Sequence, residues 1–282
     1  MEILGVHKPV IGMLHVPALP GSPNNTLSLD DIIQWVINDA TALVAGGIDA
    51  LIIENFGDVP FYRDRVPAHT ATFLTRLGCA VKNDFGSVPL GINVLRNDPV
   101  TALAVAAAVQ AQFIRVNIHT GARLTDQGII QGDASETLRY RKSLGADVKI
   151  FADVNVKHSA PVAARPLADD VADTIERGLA DAIIVTGSAT GKKTPLDDLQ
   201  SAKTAAGATP VIAGSGVDIQ TIADVLKIAD GVIVGTALKK DRRTTNGVDP
   251  DTVRKLIDAA HLRKHDSGEA SPLLREGGVD AT

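Results

Sequence analysis

Eight short apolar runs punctuate this chain, at residues 10–15, 50–54, 89–94, 113–118, 148–154, 182–186, 210–213 and 231–234. Most are continuous Val, Ile and Leu rather than polar/apolar alternations, the pattern of parallel strands covered on both faces. Between them lie segments whose apolar residues recur at helical spacing. In the first, Ile32, Ile33, Val36, Ile37, Ala40, Leu43 and Val44 share a face. Ser28 precedes them as a cap with Asp31 three residues on, and Gly46-Gly47 ends the segment. Comparable helices are predicted over 68–82, 100–109, 134–144, 169–179, 195–205, 219–227 and 250–263. Strand and helix in alternation, eight times over, predict parallel crossovers and an α/β fold closed into a (β/α)8 TIM barrel. An open doubly wound sheet is the alternative, but the GxGxxG turn that would support it is absent from the first strand–helix junction.

Length agrees. Such a barrel needs ~250 residues, and the chain has 282. One barrel domain over 1–265 is expected, followed by a polar tail at 266–282 that has three glycines and no periodic pattern, the composition of a disordered segment. Aromatic residues are 3% of the chain, so the core must be built from Val, Ile, Leu and Ala. The formal charge of −5 argues against nucleic-acid binding, which demands a basic surface. Cys79 is alone, which excludes an intrachain disulfide and a four-cysteine metal site and suits a reducing compartment. The most apolar helical stretch, 102–109, is far short of the ~20 residues that span a bilayer. No secretory pattern opens the chain, and a cytoplasmic location without membrane insertion is expected.

The chemistry is expected at the C-terminal ends of the strands, where a barrel of this type gathers its functional side chains. His15, Glu54, Asn55, Asn93, Arg96, Asn97, Asp98, Arg115, Asn117, Asp153, Asn155, Lys157, His158 and Thr186 fall there. Arg115 and Asn117 share one strand face, as do Asp153, Asn155 and Lys157 if the fifth strand runs that far. Asp153 and Glu54 are the candidate acid/base carboxylates. The bland alternatives are an Asp153 paired with Arg115 or Lys157, and a Glu54 paired with Arg96. Lys157 is a third catalytic candidate, able to form a Schiff base if desolvated, although a phosphate-facing lysine is the commoner case. His15, Asn93, Arg96, Arg115, Asn117 and Thr186 are candidates for binding substrate. His15, Glu54, Asp153 and His158 have the chemistry of divalent-metal ligands, but no spacing signature joins them. Neither a metal nor a cofactor is expected.

The sharpest signal is a pair of small-residue turns, Gly214-Ser215-Gly216 after strand seven and Gly235-Thr236 after strand eight. Glycine lets the backbone approach an anion, and helix N-termini favour negative charge. This fold places its phosphate site on those two loops. The plain alternative is that the glycines only make tight turns. Lys239 is a candidate extra charge there, and the small hydroxyl residues of 186–191 a candidate lining. Loops at 16–27, 55–67 and 119–133 are long enough to carry function.

Residues 10–23, opening Val10-Ile11-Gly12-Met13-Leu14-His15, together with 54–61, 93–98 and 113–117, resemble the BtpA-like family. So do Thr125-Asp126-Gln127-Gly128, Asp153-Val154 with Lys157-His158, and Gly214-Ser215-Gly216, and the matches span nearly all the chain but the tail. The resemblance implies a TIM-type barrel. The family takes its name from a photosystem I biogenesis factor, and some similar proteins carry a nucleosidase label or accompany sugar-transport genes. It brings no established catalytic set. The leading expectation is an enzyme acting on a small phosphorylated sugar or nucleotide-like metabolite, by N-glycosidic hydrolysis, isomerisation or aldol-type cleavage. Phe56, Phe61 and Tyr62 are candidates to stack on a base. The runner-up is a non-catalytic assembly or regulatory factor with a phosphate-ligand pocket, and a metal-dependent hydrolase is third. Homo-oligomers are common for barrels, but nothing in the sequence demonstrates one.

Overall fold

A computed structural model describes residues 2–187 and 196–266, with side chains described up to residue 260. Eight parallel strands form the centre: β1 (Val10–His15), β2 (Ala50–Glu54), β3 (Leu90–Asn93), β4 (Phe113–Val116), β5 (Lys149–Val154), β6 (Ala182–Val185), β7 (Val211–Ala213) and β8 (Gly231–Val234). They pair in chain order, with β8 against β1, and the ring closes. Closure leaves no strand edge open. Helices α1 (Leu29–Ala45), α2 (Ala68–Asp84), α3 (Pro99–Ala108), α4 (Ala134–Leu144), α5 (Leu167–Ala172), α6 (Leu196–Ala206), α7 (Ile222–Ile228) and α8 (Pro250–Asp266) follow the strands in turn.

The continuous apolar runs are explained by two cores that share the strands. Side chains alternate between faces. On β2, Ala50 and Ile52 point into the barrel, while Leu51 and Ile53 pack outward against the helices. The interior holds Ile11, Met13, Phe113, Phe151, Ile184, Ile212 and Ile233, with Phe113 and Phe151 stacked at a 4.5 Å centroid distance. Gly91 makes room for that stack, because a Cβ there would lie 2.2 Å from the Phe113 ring.

An antiparallel pair, Glu2–Ile3 with Val6–His7, precedes β1 and sends Ile3 into the interior cluster at the N-terminal end. The stretch expected as a loop at 119–133 instead contains a hairpin, Ala122–Thr125 with Gly128–Gln131, and Ala160–Pro161 adds a third strand from the loop after β5. The predicted helix at 169–179 is α5 continued by one π turn, Asp173–Arg177. The small-residue loop from residue 188, and the tail beyond 266, lie outside the described residues.

Candidate functional site

Strand register assembles the polar ring. His15 lies beside Glu54, Glu54 beside Asn93, and Asn93 beside Arg115, so four successive strands place polar residues at one level near their C-terminal ends. All four side chains are buried. Charges in such a place must be paired. Arg115 Nε donates to Asp153 Oδ1 and Nη2 to Asp153 Oδ2, each at 2.9 Å, and Asn117 Nδ2 adds a 3.2 Å bond to Oδ2. Burial works to lower the Arg115 pKa, but the charge and hydrogen bonds of Asp153, helped by Glu54, win and raise it. Both Asp153 oxygens are therefore committed. Glu54 accepts through Oε2 from Asn93 at 2.6 Å. Arg96 donates from Nη2 to the Lys157 carbonyl at 2.8 Å.

Strand β5 stops at Val154, earlier than a 153/155/157 face requires. Asn155 takes a left-handed φ of 53° and is exposed, where Arg123 holds its side-chain oxygen. The chain then folds back over the mouth. The Lys157 amide donates to Thr186 Oγ1 at 3.1 Å, which gives buried Thr186 a positioning contact. The Lys157 pKa is lowered by burial first and by Arg115 next, against the pull of Glu54 and Asp153. The His15 pKa lies well below the ordinary value, held down by burial and then by Lys239, Lys157 and Arg115, so its imidazole is neutral. Its ring meets Phe56 edge-on, and its buried Nδ1 has no partner among the described residues.

Both glycine turns open on one cavity of about 430 Å³, lined by His15, Arg115, Lys157, residues 214–218 and residues 233–237. The Gly214 amide is spent on the ladder, donating to Val185 O at 2.8 Å, while Ser215 Oγ accepts from the Gly187 amide at 2.7 Å. The amides of Gly216, Gly235 and Thr236 have no acceptor among the described residues. Two of the glycines are required by crowding. A Cβ on Gly214 would stand 2.3 Å from Ile184, and one on Gly235 2.6 Å from the His15 ring. Gly216 has a φ of +68°.

Sequence reasoning missed Arg242 and Asp218, which line the same cavity with a carboxylate–guanidinium separation of 3.6 Å. The basic run Lys239-Lys240-Asp241-Arg242-Arg243 just after β8 was the available signal. Lys239 does not serve the cavity: it is buried against Asp39 of α1 at 2.5 Å. Asn55, Asn97 and Asp98 hold backbone. Asn55 Oδ1 accepts from the Leu95 amide, Asn97 brackets Ile118, and Asp98 caps α3. His158 is exposed, and among the described residues no group of three or more His, Cys, Asp or Glu is placed to hold a metal ion. Asn117 and Asp153 also border a smaller cavity of about 190 Å³ beneath the three-stranded sheet. No helix among the described residues is long and apolar enough to cross a membrane.

KGPDC from Streptococcus mutans has a similar structure, with a TM-score of 0.57 at 11% identity, covering 91% of this chain and 99% of that one. N-(5'-phosphoribosyl)anthranilate isomerase from Pyrococcus furiosus gives 0.55 at 15% identity, covering 91% and 100%. These likenesses establish the barrel fold. In sequence, the chain is 47% identical to the photosystem I biogenesis protein BtpA of Synechocystis over 90% of its length and 88% of that protein's. It is 32% identical to the sgc region protein SgcQ of Escherichia coli, over 92% and 97%. Residues 6–262 match the BtpA family, and the chain belongs to that family.

Proposed function

We propose that this protein is an enzyme acting on a small phosphorylated sugar or nucleotide-like metabolite. The phosphate rests on the turns at 214–216 and 235–236, and the reacting carbons lie toward Lys157, His15 and Arg115. One observation carries the reading: both turns line a single cavity at the barrel mouth with Arg115, Lys157 and a neutral histidine. The unengaged amides of Gly216, Gly235 and Thr236 supply donors for phosphate oxygens. Arg242 is the additional cation at the rim. Of the two carboxylates, neither of which is among the residues lining the cavity, Glu54 has only Oε2 in a hydrogen bond, from Asn93. Asp153, with both oxygens on Arg115, serves to hold that guanidinium toward substrate. The phosphoribosyl substrate in the name of the Pyrococcus furiosus neighbour is consistent with this class of ligand.

The name of the Synechocystis relative favours a second reading, a non-catalytic biogenesis factor that keeps the pocket for a regulatory ligand. Thermal unfolding with inorganic phosphate, ribose 5-phosphate and a nucleoside monophosphate separates the cases. A ligand at 100 times its Kd adds about 2.7 kcal/mol of stability. The expected result is a rise in Tm that shrinks in Arg242→Ala. If none of the three raises Tm, the phosphate-site reading fails. A compound that binds but is not turned over supports the regulatory reading.

A further inference from the structure

We propose that Lys157 is a Schiff-base lysine whose Nζ condenses with the carbonyl of a small phosphorylated ketone seated on the two glycine turns. The inference rests on the phosphate-site reading above and narrows both its substrate class and its reaction. It begins with an asymmetry among the lysines. The half-buried Lys203 and the buried Lys239 each meet a carboxylate, Asp230 and Asp39, at 2.5 Å. Lys157 lines the cavity, yet its Nζ has no hydrogen-bond or ion-pair partner among the described residues. Burial is the first cause that lowers the Lys157 pKa below the ordinary lysine value. Arg115 and Arg96 oppose the ammonium, Glu54 and Asp153 favour it, and burial outweighs them all. Asp153 is already engaged by Arg115, and Glu54 by Asn93. A desolvated lysine among cations is the form of the residue that attacks carbonyls.

The step balances without a co-reactant. The Nζ lone pair forms the C–N bond while the carbonyl oxygen gains a proton. The resulting carbinolamine then expels that oxygen as water, and amine plus ketone has become imine plus water. Neutral His15, on the same cavity, is available to relay these protons. A protonated imine draws electrons from the adjacent carbon, so it serves cleavage of the neighbouring C–C bond or removal of an α-proton. It selects aldol-type cleavage or isomerisation over N-glycosidic hydrolysis. The main-chain clamp on Lys157, Arg96 on its carbonyl and Thr186 on its amide, fixes the base of the side chain where the chain turns back over the mouth.

The test is reductive trapping. The full-length protein is incubated with dihydroxyacetone phosphate or ribulose 5-phosphate, treated with sodium borohydride, and its intact mass measured. The expected gain is one ligand less one oxygen, mapped by digestion to Lys157. Unphosphorylated dihydroxyacetone should label at least tenfold less, and inorganic phosphate should protect. Lys157→Arg keeps a long basic side chain but cannot form the imine. It should lose the label while inorganic phosphate still raises its Tm, which shows that the variant is folded with its anion seat intact. Absence of label in wild type, or equal labelling in Lys157→Arg, overturns the proposal. Either result with a phosphate-dependent Tm leaves the phosphate reading standing. Label at Lys157 that phosphate does not block would instead overturn the seat assigned to the phosphate.

Discussion

His15 sits where burial and three cations converge, and its titration has a calculable consequence. Unfolded, the imidazole protonates near pH 6.5. In the folded protein burial, Lys239, Lys157 and Arg115 hold that event well below this value. Between the two values the unfolded chain binds the extra proton, so stability rises with pH. The contribution is fully present above about pH 6.5 and is lost as pH falls through the folded value, at about 1.4 kcal/mol per pH unit. His119 and His158 are also lowered, chiefly by burial, and add to the same slope. His15→Asn should therefore show a shallower fall in urea midpoint between pH 7 and pH 5 than wild type. Equal slopes would mean that His15 takes up its proton in the fold as readily as in the unfolded chain. The residue types at the mouth were legible in the sequence because each closes an apolar run. The pairing was not, since whether Asp153 faces Arg115 or Lys157 depends on where β5 ends, and a left-handed Asn155 decides that.

Helix α1 shows how far local chemistry reaches at the scale of one element. Ser28 Oγ accepts from the Asp31 amide at 3.2 Å, and the Asp31 carboxylate accepts in return from the Ser28 amide at 3.3 Å. Both partners lie within four residues, so the cap was readable. Ser28→Ala should lower stability by about 1 kcal/mol, measured by chemical denaturation, and an unchanged midpoint would show that packing alone fixes this helix start. The hairpin after β4 was not readable. Its strands have four residues each, only Ile130 among them is buried, and the third strand comes from residues 160–161. Periodicity cannot announce an element whose partner is so distant in sequence and whose burial is so slight. It leaves Leu124, Ile129 and Val162 exposed on the rim of the mouth.

Across the whole molecule the barrel is closed twice, by β8 against β1 around the wall and by Ile3 beneath the floor. Ile3 is 6% exposed and packs in the interior cluster with Ile11, Ala50 and Phe113. Ile3→Asp should cost more than about 2 kcal/mol, because a carboxyl there meets no partner. Its Tm checks this, and a value within a degree of wild type would show that the floor is dispensable. Eight apolar runs alternating with helices were enough to imply a closed parallel barrel, and the glycines after the last two strands were enough to pick out two turns that line one cavity at its rim. Those features come from local spacing and from backbone sterics, which the order of residues encodes directly. Pairing was settled only when the ring closed. It gave Arg115 to Asp153 and Lys239 to Asp39, left Lys157 in the cavity without a carboxylate partner among the described residues, and brought in Arg242. Partners in a barrel come from neighbouring strands dozens of residues apart in the chain, and the strength of each pair depends on burial that exists only once every strand is in register.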